Sequence, residues 1–112
     1  MATQNALALA SPATLQLYRD LLARLQRFGP FREEVKKTSI HLVRASAFAG
    51  VHPRKQHLLL TIKSAQPIDS ARIARTEQVS RSRWHLDVKL AAASEIDSEL
   101  LGWLRQAYNL CV

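Results

Sequence analysis

The apolar residues of this chain repeat with a helical period at both ends and with a period of two in between. That switch restricts the possible folds more than any other feature. The clearest alternation is Trp84–Leu90, where Trp84, Leu86, Val88 and Leu90 share one face against His85, Asp87 and Lys89. His57–Lys63 sets Leu58, Leu60 and Ile62 opposite His57, Thr61 and Lys63. In Thr38–Arg44, Ile40 and Leu42 oppose Ser39 and His41; in Ser46–His52, Ala47, Ala49 and Val51 oppose Phe48 and Gly50. Alternation of this kind predicts strands of a sheet with one buried and one wetter face. The short connectors Arg44–Ala45 and Pro53–Gln56 favour antiparallel hairpins between the first three.

Helices flank the strands. Ser11 is a capping residue, and Pro12 suits a first helical position, where its missing N–H costs nothing. Leu15, Tyr18, Leu22 and Leu25 recur at helical spacing, Leu21 and Phe28 widen the stripe, and Gly29-Pro30 stops it. The spacing predicts a helix over 12–28. A second is predicted over 95–109. Ser94 to Asp97 has capping-box spacing, and Glu95, Asp97 and Glu99 crowd its first turns, where the helix dipole favours negative charge. Its stripe is Ile96, Leu100, Trp103, Leu104, Ala107 and Tyr108.

Two amphipathic helices and a one-sided sheet solve each other's burial problem. The expected fold class is α+β, with both helices on one face of a four-stranded, mainly antiparallel sheet in the order α-β-β-β-loop-β-α. Leu22, Leu60, Leu86, Val88 and Leu104 are its expected core. The connection 64–83 is long for a compact domain, and Pro67–Ala74 is expected to add a helical turn or two. Residues 1–10 carry no periodic signal and read as a flexible lead-in; 11–112 read as a single domain.

Composition fits that picture. The 112 residues are 47% hydrophobic and 22% charged, suited to one globular core. No apolar run approaches the roughly 18 residues of a membrane span, and Met1–Ala10 lacks the basic start of a secretory signal. The one cysteine, Cys111, cannot staple the fold internally, so a cytoplasmic setting without membrane partners is expected. Of the net charge of +7, the middle carries the excess: residues 36–90 hold eleven Lys/Arg and three Asp/Glu. Such a surface attracts phosphates, nucleic acid or acidic protein.

Three stretches have familiar wording: Ala47–Lys55 (AFAGVHPRK), Gln78–His85 (QVSRSRWH) and Glu99–Tyr108 (ELLGWLRQAY). Together they resemble a bacterial domain-of-unknown-function family, numbered fifty-six fifty-five, over roughly residues 14–109. The resemblance implies a fold similar to YdhG-like domains. It also implies an upstream helical domain as a candidate partner, because members often follow one. It implies no activity.

No residue pattern announces catalysis. Cys111 is penultimate, no Gly-x-Ser-x-Gly elbow occurs, and His85 with Asp87 is a surface pair on one strand face. His52 and His57 flank a predicted turn and His41 and His85 sit on strands, but no Cys pair or His-Glu-x-x-His run accompanies them, so neither metal nor cofactor is expected. Oxyanion binding has more support. Arg54 and Lys55 sit in one turn, and Ser80, Arg81 and Arg83 lead into the last strand, followed by His85 on the wetter face. Guanidinium forks and hydroxyls are the groups that hold phosphate. A junction of these six residues is the expected site, extended by Lys37, Thr38, Lys63 and Lys89. The expected function is a non-enzymatic binding domain for an anionic small molecule or nucleic-acid backbone. The alternative is a homodimer or other association module using an open sheet face that carries Val43, Phe48 and Leu59.

Overall fold

A computed structural model describes residues 5–112. Helix α1 runs Pro12–Leu25 and continues as a 3-10 turn over Gln26–Phe28. Six strands follow: β1 Arg32–Val35, β2 Ile40–Val43, β3 Ala47–Pro53, β4 Leu58–Ser64, β5 Ile73–Ser80 and β6 Arg83–Leu90. Helix α2, Ser98–Leu110, closes the chain. The strands form one sheet in the order β1-β2-β3-β4-β6-β5, and every pairing is antiparallel.

The expected α+β class and flanking helices are present, but the sheet has six strands rather than four. The two additional strands lie at its edges. β1 reads Arg-Glu-Glu-Val and β5 is exposed along nearly its whole length. An edge strand with no helix over it has no need of an apolar face, so it leaves no alternation to detect. Half of residues 64–83 are therefore strand, and the helical turns expected over Pro67–Ala74 are absent apart from a turn at 71–72. Of the segment expected to be flexible, residues 6–9 form a 3-10 turn with Ala6 fully buried and its N–H donating to the Lys36 carbonyl at 2.9 Å. Residues 1–4 lie outside the described residues.

Both helices lie on one face. Leu17, Leu21 and Leu25 of α1 and Leu100, Leu104 and Ala107 of α2 join Ile40, Leu42, Val51, Leu58, Leu60, Ile62, Val88 and Leu90 in one core. Leu86 is also fully buried. The α1 stripe is turned from the expected one: Leu17 and Leu21 are buried while Leu15 and Leu22 are half-exposed. The Ser11 hydroxyl caps α1 at the Thr14 N–H as expected. The cap of α2 is Asp97, not Ser94, accepting from the Leu100 N–H at 3.0 Å. Gly29 ends the first helical segment with φ +138°, a conformation side chains disfavour, and a Cβ there would lie 2.6 Å from the Tyr108 hydroxyl oxygen.

A bulge resets the alternation of β3. Leu42 pairs with Ala49 but Val43 pairs with Ala47, leaving Phe48 as the extra residue. Phe48 turns to the helix side instead of the opposite face, fully buried, with ring centroids 5.7 Å from Phe31 and 5.3 Å from Tyr108 in edge-to-face geometry.

Arg72 fixes the approach to β5. Its guanidinium donates to Asp97 Oδ1 at 2.8 Å, to Glu99 Oε1 at 3.1 Å and to the Glu95 carbonyl at 2.8 Å, and lies 5.8 Å from the Trp103 ring centroid. Phe48→Ala should cost about 3–5 kcal/mol of unfolding free energy, the usual range for a buried Phe. Denaturant titration measures it; a loss below about 1 kcal/mol would put the ring on the exposed face.

Candidate functional site

With both helices on one side, the alternate residues of the strands form the uncovered face of the sheet. Their register creates transverse rows. The middle row runs Glu34, His41, Gly50, Thr61, Asp87, Arg75, each directly opposite the next across six strands. On one side of it lies His52–Leu59–Lys89, on the other Lys63–His85–Glu77.

Gly50 has no side chain to fill its place in the middle row, and a concavity of about 440 Å³ opens around it. Its lining includes His41, His52, Arg54, Lys63, His85 and Asp87. A Cβ added at Gly50 would lie 3.7 Å from His52 Nε2 and 3.9 Å from Thr61 Cβ. The imidazole of His52 therefore reaches over the glycine, and Thr61 bounds the floor. The Thr61 hydroxyl donates to Asp87 Oδ1 at 2.8 Å. Arg75 is opposite Asp87 in register, yet its guanidinium turns to Glu77 Oε2 at 2.7 Å. Asp87, Arg54 and Lys63 form no ion pair among the described residues.

The six expected site residues do not come together. β4 and β6 pair from Leu58–Leu90 to Ser64–Trp84, so the 54–57 turn and the 81–82 turn lie at opposite ends of the sheet. Six residues of strand, about 20 Å, separate them. Arg54 and His85 reach the central concavity; Lys55, Ser80, Arg81 and Arg83 do not line it. The Lys55 carbonyl serves the fold, accepting from the Thr14 hydroxyl at 2.9 Å and the Ser11 N–H at 3.3 Å. Arg83 folds back onto the Ser82 carbonyl at 2.8 Å. Of the proposed extensions, Lys63 joins the site and Lys89 stands in the flanking row.

Sequence reasoning passed over His41, His52, Thr61 and Arg75 as a group. The usable signal was the parity of His41, Gly50, Thr61 and Asp87 on adjacent strands. Converting parity into a row requires the register, which connector lengths alone do not supply. Among the described residues, no cluster of three metal-ligating side chains is present. Nor is any helix long and apolar enough to cross a membrane.

Fold and site together define a small antiparallel α+β domain whose uncovered sheet face holds a polar, imidazole-rich hollow. A family model described as a domain of unknown function (DUF5655) matches residues 4–111, and the chain belongs to that family. No curated protein and no solved structure matched it.

Two histidines near the hollow titrate low. His52 is held below its ordinary value of 6.5 chiefly by desolvation, then by the Arg54 charge; His41 adds to the effect and Asp87 opposes it. His57 is lowered by desolvation, then by Lys89 and Arg54. A depressed histidine binds fewer protons folded than unfolded, so stability is present above the unfolded value and is lost as pH falls from there through the folded value. Asp97, lowered first by the Leu100 N–H and then by Arg72, acts only below its ordinary 3.8. The melting temperature should therefore fall between about pH 7 and pH 5, and His52→Gln with His57→Gln should flatten that slope. Calorimetry across the range checks it; an unchanged slope in the double variant would remove both histidines as the cause.

Proposed function

We propose that this domain binds a small anionic ligand in the hollow at Gly50, without catalysis. The observation that carries the reading is the pair of cations Arg54 and Lys63, without an ion-pair partner among the described residues, lining a concavity of about 440 Å³. Small-molecule sites usually have roughly 300–1,000 Å³. An arginine fork and a lysine point charge are complementary donors for a phosphate or carboxylate. Imidazoles on three strands add further hydrogen-bonding groups.

A nucleic-acid backbone fits less well. Its phosphates call for an uninterrupted cationic track, and here Asp87 and Glu77 line the same hollow as the basic groups. The association reading loses most of its apolar support, since Phe48 turns to the helix side, Val43 is buried, and of the three only Leu59 keeps partial exposure. We also propose a likeness to YdhG-like domains, as a statement of fold alone.

Titration with inorganic phosphate and AMP, followed by amide chemical shifts, tests the site. The largest changes are expected at His52 and Arg54 with phosphate, and at Gly50, Thr61 and Asp87 as well with AMP. Arg54→Ala with Lys63→Ala should weaken binding about tenfold or more, since a hydrogen bond to a charged group contributes about 1.5–3 kcal/mol. Arg81→Ala with Arg83→Ala should leave it within about twofold. The reverse ranking would return the site to the strand end, and no binding of any anion would end the proposal.

A further inference from the structure

One group in the hollow conflicts with a simple anion site. Asp87 sits in the middle row, half-buried, between the flanking cations. An ionised carboxylate only accepts hydrogen bonds, and its two oxygens offer about four lone-pair sites. The Thr61 hydroxyl fills one of these, on Oδ1. The guanidinium opposite it in register is committed to Glu77. No described side chain donates to Oδ2.

A bare phosphate placed over the middle row would meet this carboxylate and be repelled. A ligand using the whole hollow therefore needs a donor at its centre and an anion at its end. An ammonium donor would be disfavoured by Arg54, Lys63 and Arg75, all lining the same concavity. A neutral donor remains, and the hydroxyl is the plainest. Thr61 favours two of them. Having given its own proton to Asp87, its oxygen keeps lone pairs that accept from a hydroxyl adjacent to the one Asp87 takes.

The anion has a place at one end. The middle row is two residues along the strand from the His52–Leu59 row, about 7 Å. His52 there adjoins Arg54, which can present two N–H groups to one phosphoryl group. That separation suits a pentose or hexose phosphate, with its phosphoryl at one end and its vicinal hydroxyls toward the other.

We infer that the hollow recognises a phosphomonoester carrying vicinal hydroxyls, as in a sugar phosphate or the ribose phosphate of a nucleotide. The diol lies on Asp87 and Thr61, and the phosphoryl group lies at Arg54 and His52. This inference rests on the anion-binding reading and names its ligand class.

Calorimetric titration of the whole chain with ribose 5-phosphate, ethyl phosphate and AMP provides the test. Ribose 5-phosphate is expected to bind about tenfold or more tightly than ethyl phosphate, which lacks hydroxyls. Asp87→Asn retains a partner for Thr61 but removes the charge. It should weaken ribose 5-phosphate and strengthen ethyl phosphate, bringing their affinities together; a merely structural role would shift both the same way. AMP binding at least as tightly as ribose 5-phosphate identifies a nucleotide as the source, whereas exclusion of AMP identifies a free sugar phosphate. Equal affinity of the wild type for ribose 5-phosphate and ethyl phosphate overturns the hydroxyl inference and leaves anion binding standing. Absence of any phosphate binding overturns both.

Discussion

The antiparallel pairing of β4 with β6 holds the rest of the structure in place. Seven consecutive registers, Leu58–Leu90 through Ser64–Trp84, align two strands whose apolar residues already alternate. Leu58, Leu60, Ile62, Leu86, Val88 and Leu90 thereby fall on one side and are essentially removed from water. A slip of one residue between the two strands would turn the three apolar side chains of one of them to the wrong face, at about 1.5–3 kcal/mol for each large aliphatic side chain. This makes the register the most strongly determined feature of the sheet. The same pairing places Thr61 opposite Asp87, and Lys63 opposite His85, on the other side. Core and hollow are two faces of one alignment, so a change that slips the register destroys both.

Three local devices accommodate the remainder of the chain. The bulge at Phe48 adds a large ring to the helix side without breaking the β2–β3 pairing, and it removes an aromatic from the wet face. The Lys55 carbonyl, held by Ser11 and Thr14, ties the start of α1 to the β3–β4 turn. At the other side of the domain, Arg72 joins the segment before β5 to the first turn of α2, where three acidic residues cluster. Tyr18 adds a fourth link between α1 and β1 by donating to Glu33 Oε1 at 2.6 Å. These contacts involve polar groups at the margins of the core. They position the elements that hydrophobic burial alone would leave free to slide.

The legible part of the fold was the part that buries apolar surface. β2, β3, β4, β6 and both helices have periodic sequences because their faces must meet. β1 and β5 face water on much of their surface, so residues such as Glu34, Arg75 and Glu77 can be charged without penalty, and no alternation marks them. Phe48 was misassigned for a different reason. A bulge depends on the partner strand, and nothing in Ala-Phe-Ala-Gly announces that one residue will be skipped. The candidate site was legible only through Arg54 and His85. The remainder depended on which strands are neighbours, and β5 pairs with β6 on the side away from β4.

Charge density along a sequence therefore does not show which basic residues the fold brings together, and this domain makes the physical reason concrete. Its eleven basic residues between 36 and 90 have different fates. Arg72 is spent on the α2 terminus, Arg75 on its neighbour Glu77, and Lys36 on Glu34 at 3.8 Å. Arg44 stacks on the Tyr108 ring at 4.1 Å and donates to its carbonyl. Arg81 is exposed and Arg83 folds back on the Ser82 carbonyl, and neither lines the hollow, so solvent screens an exposed charge such as Arg81. Arg54 and Lys63 differ because they line the concavity, which is why the proposed anion is placed there. Under the proposed reading, two cations lining a concavity would hold an anion better than a larger number spread over an open surface.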